Sequence, residues 1–426
     1  MENHKLSYAQ TEIIQVQEYY KDASINNLAG LLYIKDKVTI SKIEQALNYL
    51  IKIHASYRIK IKKEKSEYKQ YISNHKDKKF DFIDFNNDPE AYHHWINVEI
   101  KRNIFDNDSD LYKFTILRLP EGNMAVLTLQ HHIISDGWSL TIVGNVLSEY
   151  LINENKQETL AYTYLDYVKE ELKYTNSKRY ERDKQFWLKK LENFESNQLF
   201  KKHSTHCAQG DRKGYSLSDI DTHKIKVFCD KNKISINNLF TTAMIILKYK
   251  KTYAEKISIG SIMHNRTKQI EKSITGVFSK ALPLIVDVSS NNSISELLSK
   301  TKIESFNLLK HRKYPYSQIE DDNKNKYGML DCTISFQNKQ YNSKVIENGY
   351  SDVWLDNGLC DTPLAISISN RNRNSVLDID YDYQIAIVNE KEVKYLHKAI
   401  VKLVKDIIEH PNKEIKDINL ITDTKK

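Results

Sequence analysis

The chain has 426 residues, 28% of them charged and 40% hydrophobic, a length for two to three domains and a balance that excludes an intrinsically disordered protein. Only 11 residues are Gly, against a usual share of about 7%, which counts against glycine-rich dinucleotide or phosphate cradles, collagen-like repeats and long flexible linkers. The 64 basic and 56 acidic residues leave a net charge of +8, which favours acidic partners without identifying them and fits a solvated, lysine-rich surface equally well. Along the chain, Ser41-Lys42-Ile43-Glu44 reads as a capping box, and behind it Ile43, Leu47, Leu50 and Ile51 recur at helical spacing. Residues 57–63 alternate as a strand, and Asp88-Pro89 opens a helix running to about Arg102. The β-rich runs 111–119 and 124–129, separated by residues 120–123, predict a hairpin, followed by a helix over about 139–151. Residues 164–194 read as mostly helical and charged. Beyond them the pattern predicts a helix at 236–249, strands near 257–263 and 281–288, and a helix near 295–309. Three more strands are expected near 332–337, 364–369 and 375–381, and a long helix from 390 to about 410 ends before Pro411. The two halves carry similar mixed inventories, so the expected fold is α+β with an N-terminal lobe over 1–174 and a C-terminal lobe over 175–426.

Cys207, Cys229, Cys332 and Cys360 are widely spaced and form no CxxC pair, which predicts reduced, buried thiols and neither a disulfide frame nor a zinc site. The N-terminus lacks a basic region followed by an apolar core, and no apolar run reaches the roughly 18 residues of a membrane span. The expectation is a soluble, cytoplasmic protein.

The densest polar cluster covers residues 130–139, between a predicted strand and a predicted helix. If His131 and His132 both continue the strand they point to opposite faces, so one faces a cleft and the other is structural. Asp136 can brace the turn, Gly137 permits close backbone approach, and the N–H groups at the start of the helix could stabilise an oxyanion. A serine-hydrolase elbow needs G-x-S-x-G, and residues 137–141 lack the closing glycine. A metal site would use His132 and Asp136, but no second cluster with ligand spacing accompanies them. His93-His94 is an incidental pair within a helix. What remains is a general-base or positioning histidine without a covalent protein nucleophile.

His131 to Ser139 resembles the HHxxxDGWS signature of condensation domains of nonribosomal peptide synthetases, which are chloramphenicol-acetyltransferase-like acyltransferases. Other segments resemble the family in its order: Ser7-Tyr8-Ala9-Gln10 (SxAQ), residues 54–58 (RHExLR), Tyr164-Leu165-Asp166-Tyr167 (YxDxA) and Phe186-Trp187. So do residues 260–266 (GxxxxxR), Gly276-Val277-Phe278 with Leu282-Pro283-Leu284 (GxFVNTLPL), Tyr314-Pro315-Tyr316 (YPF) and residues 411–420. The sequence departs from the family at Ile53, near Ile14, at Lys280-Ala281 and at Ile285, outside the HHxxxDG core.

The resemblance implies two acyltransferase-like lobes in a V-shaped arrangement, with the active site in the cleft between them. It supplies His132, His131, Asp136 and Gly137 as the active-site set: His132 at the reaction centre, His131 structural, and Asp136 in an ion pair that holds the loop. Arg266 is the first candidate partner for Asp136 and Arg58 the second, while Trp138, Ser139 and Trp187 support the site. The implied reaction is direct attack of an amine on an acyl thioester. The enzyme itself would bind no cofactor or metal, its substrates arriving on the 4'-phosphopantetheine of acyl or peptidyl carrier proteins. No carrier, adenylation or thioesterase motif flanks the lobes, so the expectation is a free-standing, monomeric enzyme fed in trans, with a carrier-bound or free amine acceptor. The alternatives are an ester-forming relative and a catalytically silent carrier-docking module. A nucleic-acid binder is disfavoured, because the basic charge is spread through mixed-sign helices and no recognition motif is present.

Overall fold

The hairpin expected around residues 120–123 forms the middle of a five-stranded sheet. The computed structural model describes residues 2–20, 24–34, 38–153, 160–195, 197–200, 206–323, 329–338, 341–348, 350–370 and 376–420. These separate into two compact units, and the partition is not contiguous: the first unit takes 1–176, 264–279 and 339–359, and the second takes the rest. Two excursions of the later chain therefore belong to the first unit, which a simple division near residue 175 does not contain.

In the first unit, Ser351–Leu355, Asn27–Ile34, Met124–His131, Tyr112–Arg118 and Asp81–Asp84 lie in that order, antiparallel except for the last pair. Alternation divides the sheet into two faces. Ala125, Leu127 and Leu129 join one apolar cluster with Ala29, Leu31 and Ile96, whereas Val126, Leu32, Ile34 and Phe114 join another with Leu47, Val143 and Leu147. Leu47 comes from the helix Ile40–Ile53, and Val143 and Leu147 from the helix Gly137–Ile152. A three-stranded sheet, His4–Lys5, Glu67–Ile72 and Ile59–Glu64, completes this unit's strands.

The second unit is built on a six-stranded sheet in the order Lys280–Asp287, Lys256–Met263, Cys332–Gln337, Leu364–Ser369, Asp378–Gln384 and Gly210–Ser216. The helix Ile236–Thr252 is buried along residues 239–249, which makes it a core helix rather than a surface one, between Ile294–His311 and Glu390–Glu409. Lys248 on that helix is sealed from water and donates to Asp331 at 2.6 Å and to the Ser258 carbonyl at 2.9 Å.

Several local expectations are corrected. The helix expected behind a Ser41–Glu44 box begins at Ile40, with Thr39 as its N-cap: Thr39 Oγ1 accepts the Lys42 N–H at 3.3 Å. Glu44 turns instead to Lys79, 2.8 Å away. The strand expected from Tyr57 starts at Ile59, because Ala55–Arg58 forms a 3-10 turn, and the strand expected over 375–381 is Asp378–Gln384, with Ser375 outside the described residues. Residues 164–194 hold two helices, Tyr164–Tyr174 and Lys178–Leu191. Cys229, Cys332 and Cys360 are buried free thiols, but Cys207, expected to be buried, is exposed.

The capping geometry separates two neighbouring residues. Thr39→Ala should lower stability by about 1 kcal/mol, while Ser41→Ala, which removes no cap, should leave the melting temperature nearly unchanged in thermal denaturation.

Candidate active site

The strand Met124–His131 ends at the first histidine, and His132 opens a single 3-10 turn, His132–Ile134. The two rings are thus separated by this turn and not by a continued strand. His131 is fully buried. Its Nδ1 accepts the Ile133 N–H at 3.2 Å, which places its proton on Nε2, 3.2 Å from Gln17 Oε1, and its ring stacks on Phe105 with centroids 4.6 Å apart. Burial, assisted by the neighbouring His132, pushes its pKa down to about 3, so the ring is neutral. His132 is half-buried and has the opposite tautomer. Its Nδ1 lies 2.7 Å from the Ser135 carbonyl, and because a carbonyl only accepts, Nδ1 holds a proton, which in the neutral ring leaves the lone pair on Nε2.

Asp136 caps the helix Gly137–Ile152. Oδ1 accepts from the Ser139 N–H and hydroxyl, both at 2.8 Å, so the cap also begins the helix at Gly137, two residues earlier than expected. The same carboxylate receives the Arg266 guanidinium in bidentate fashion, Nη1 to Oδ2 at 2.6 Å and Nη2 to Oδ1 at 3.0 Å. The Phe278 and Ser279 N–H groups add donors to Oδ2 at 3.0 and 3.2 Å. Burial alone would raise the pKa of this 1% exposed group, but Arg266 and the surrounding donors outweigh it and hold Asp136 below the usual carboxylate range.

Arg266 is equally enclosed. Its Nε donates to the Glu271 carbonyl at 3.1 Å and its Nη2 to Ser139 Oγ at 2.9 Å, while the guanidinium carbon lies 4.2 Å from the Phe278 ring centroid. Ser139 therefore ties the helix to the loop. Its hydroxyl accepts from Arg266 and from the Gly276 N–H at 3.1 Å, and faces both Asp136 and the Gly276 carbonyl as acceptors. A side chain at Gly276, where φ is +153°, would collide with the Tyr164 ring. At Gly137 an added Cβ would lie 2.8 Å from Cη2 of Trp354, so this glycine is required by close packing. Trp138 donates its indole N–H to the Lys272 carbonyl at 3.1 Å.

His131, His132, Asp136, Gly137, Trp138, Ser139 and Arg266 are thus gathered in the first unit. Arg58, in the same unit, serves the neighbouring hairpin by donating Nη1 to the Ser73 carbonyl at 3.1 Å. Trp187 sits in the apolar core of the second unit, its indole N–H 3.4 Å from the His311 carbonyl. Of the N–H groups expected to serve an oxyanion, those of Ser139 and Leu140 are already engaged by Asp136. Sequence reasoning missed Trp354, Phe105 and Glu271. Glu271 Oε2 collects the Thr267 and Lys268 N–H groups at 2.5 and 2.9 Å and so shapes the loop behind Arg266. Only the pairing Glu271 makes with the backbone marks its role, and no side-chain motif announces it. Among the described residues no group of three or more His, Cys, Asp or Glu is placed to hold a metal, and no helix is long and apolar enough to cross a membrane.

A family profile described as the condensation domain matches residues 2–426. The chain belongs to the condensation-domain family. It is similar to surfactin synthase subunit 1 of Bacillus subtilis (strain 168), 26% identical over 99% of this chain and 12% of that protein. It is also similar to bacitracin synthase 2 of Bacillus licheniformis, 22% identical over 100% of this chain and 16% of the relative. The chain therefore spans a small fraction of the curated relatives it matches. Among solved structures, the starter condensation domain of rhizomide synthetase, in a doubly substituted form with C8-CoA, superposes with a TM-score of 0.84 at 18% identity, covering 99% of this chain and 98% of that one. The first condensation domain of the calcium-dependent antibiotic synthetase, with a substrate analogue, gives 0.82 at 16% identity, covering 99% of each chain. These likenesses show the same α+β fold.

Arg266→Met should leave a buried, unpaired carboxylate and cost about 3–5 kcal/mol, measured by urea denaturation. The same measurement should show a pH dependence carried by histidines. His131 and His54 are both fully buried and held down to about 3 by burial. An unfolded histidine takes up its proton near 6.5 and these folded ones do not, so their stabilisation is complete above pH 6.5 and declines as pH falls towards 3. Each should contribute a slope of up to about 1.4 kcal/mol per pH unit. Since neither ring nitrogen of His54 has a hydrogen-bond partner among the described residues, His54→Met should remove up to about 1.4 kcal/mol per pH unit of that slope between pH 6 and pH 5.

Proposed function

We propose that the protein forms an amide bond between an acyl or aminoacyl thioester, carried on the 4'-phosphopantetheine of a carrier protein, and an amine acceptor. The observation that carries this reading is the fixed His132 tautomer: Nδ1–H is spent on Ser135, which leaves a basic Nε2 on a turn adjoining the buried Asp136–Arg266 clamp. An α-amine has a solution pKa of about 7.7–8.0 and attacks only when it has lost its proton. Nε2 of His132 accepts a proton from the amine as its nitrogen bonds to the thioester carbon. The oxyanion that forms lies close to the positive end of the helix dipole at Gly137. Collapse of the tetrahedral adduct breaks the C–S bond, and the proton held on Nε2 passes to the departing thiolate. The products are an amide and a free phosphopantetheine thiol. No protein nucleophile takes part, consistent with a clamp that commits Ser139 to hydrogen bonding and Asp136 to Arg266. The positive net charge of +8 supports encounter with an acidic carrier.

The rhizomide synthetase domain, crystallised with C8-CoA and in one case also Leu-SNAC, supplies a first probe pair alongside acyl-loaded carrier proteins. Donors of both kinds should be offered with amines, alcohols and aminoacyl carriers, and the products read by mass spectrometry. Wild-type protein should give amide, and a correctly folded His132→Ala variant should lose about 10²–10⁴-fold in rate. Ester as the sole product would replace the amine by an alcohol acceptor. Carrier binding without any product would make the protein a docking module.

A further inference from the structure

The N-terminal segment is tied to the turn that bears His132. Gln10, on the helix Tyr8–Tyr20, and Gln70, on the strand Glu67–Ile72, are both fully buried and form a reciprocal amide pair. Nε2 of each donates to Oε1 of the other at 2.8 Å. The remaining capacity is also used: Gln10 Oε1 accepts the Ser7 N–H at 2.9 Å, and Gln70 Nε2 donates to the Lys5 carbonyl at 2.9 Å. The second hydrogen of Gln10 Nε2 is directed to the Ile133 carbonyl at 3.3 Å, one residue beyond His132. A second branch leaves the same segment. Ser7 Oγ accepts the Gln10 N–H at 3.1 Å and lies 2.9 Å from the Tyr164 hydroxyl, which donates to the Val277 carbonyl at 2.8 Å. Val277 immediately precedes Phe278, whose N–H contacts Asp136.

One buried network thus grips the catalytic turn at Ile133 and the clamp loop at Val277. We infer that Gln10 is a positioning residue: through the Ile133 carbonyl it fixes the His132 turn in the conformation in which Nδ1 meets Ser135, and so sets which ring nitrogen is basic. Exchanging both amides for apolar side chains of similar length removes their mutual pair together, but it also takes these partners from the Ser7 N–H and the Ile133 carbonyl, so some stability is lost and the test reads the His132 tautomer rather than stability. The inference builds on the proposed role of His132, and its test reads His132 directly, without substrate.

The test is the Gln10→Met/Gln70→Met double variant, followed by ¹⁵N–¹H spectroscopy of histidine side chains at pH 8, with the His132 signals assigned by their loss in His132→Asn. Wild type should show His132 as the Nδ1–H tautomer. The double variant should still melt cooperatively, at a lower temperature than wild type, and the ratio of Nδ1–H to Nε2–H forms should fall at least about threefold, with kcat for whichever acyl transfer the wild type performs falling about tenfold at nearly constant KM. A folded double variant with an unchanged tautomer ratio overturns the inference, even if amide formation is confirmed. Should the double variant not fold, Gln10→Glu replaces it. Its buried carboxyl can donate only while protonated, so the His132 tautomer ratio should fall as pH rises from 6 to 9, and a ratio that does not move with pH overturns the inference.

Discussion

Asp136 and Arg266 are withdrawn from water together, at 1% and 0% side-chain exposure, and neither charge is tolerable there without the other. A buried ion pair of this kind is weak as a source of net stability, since an apolar pair of similar volume would avoid desolvation altogether. What it supplies is registration. The planar guanidinium meets both carboxylate oxygens, and the same carboxylate receives the first turn of the helix Gly137–Ile152 and the N–H groups of Phe278 and Ser279. Two stretches of backbone more than 130 residues apart and one guanidinium therefore share one acceptor, and the direction of the helix axis beside His132 follows from that arrangement.

The histidine pair shows how position divides two identical side chains. His131 receives a backbone N–H on Nδ1 and an aromatic face, while His132 gives its Nδ1 proton to a backbone carbonyl. No difference in residue type distinguishes them. The distinction arises from the end of a strand at one residue and the start of a 3-10 turn at the next.

Much of this is legible in the amino-acid order. The strand and helix on either side of residues 130–139 follow from alternation and helical spacing, and Asp136 is a recognisable cap residue with an arginine expected to answer it. The helix start falls at Gly137 and not at Ser139 because an N-cap is decided by which side-chain oxygen reaches the N3 amide, and Asp136 makes that contact. The same competition moves the cap of an earlier helix from Ser41 to Thr39. The helix Tyr8–Tyr20 escapes the sequence pattern because its β-branched and aromatic residues give little propensity signal, and its hold on the molecule is tertiary. Trp354 is invisible for a different reason. It lies on the five-residue edge strand Ser351–Leu355, whose partner Asn27–Ile34 is more than 300 residues away, and local pattern cannot report such a pairing. Trp187, expected as support of the site, packs in the apolar core of the second unit.

The discontinuity of the first unit gives the chain a timetable. Asp136 and Arg266 are 130 residues apart, so at a ribosomal pace of about 5–20 residues per second the carboxylate waits roughly 7–26 s for its guanidinium to be synthesised. The edge strand Ser351–Leu355 arrives later still. During that interval a nascent chain holding the strands Tyr112–Arg118 and Met124–His131 exposes the ladder edge that Asn27–Ile34 shares with the late strand, and the burial of Asp136 has to be deferred. Nascent-chain quality control would therefore meet this protein as an open sheet bearing an uncovered carboxylate, and the Asp136–Arg266 clamp would be among the last features of the first unit to close.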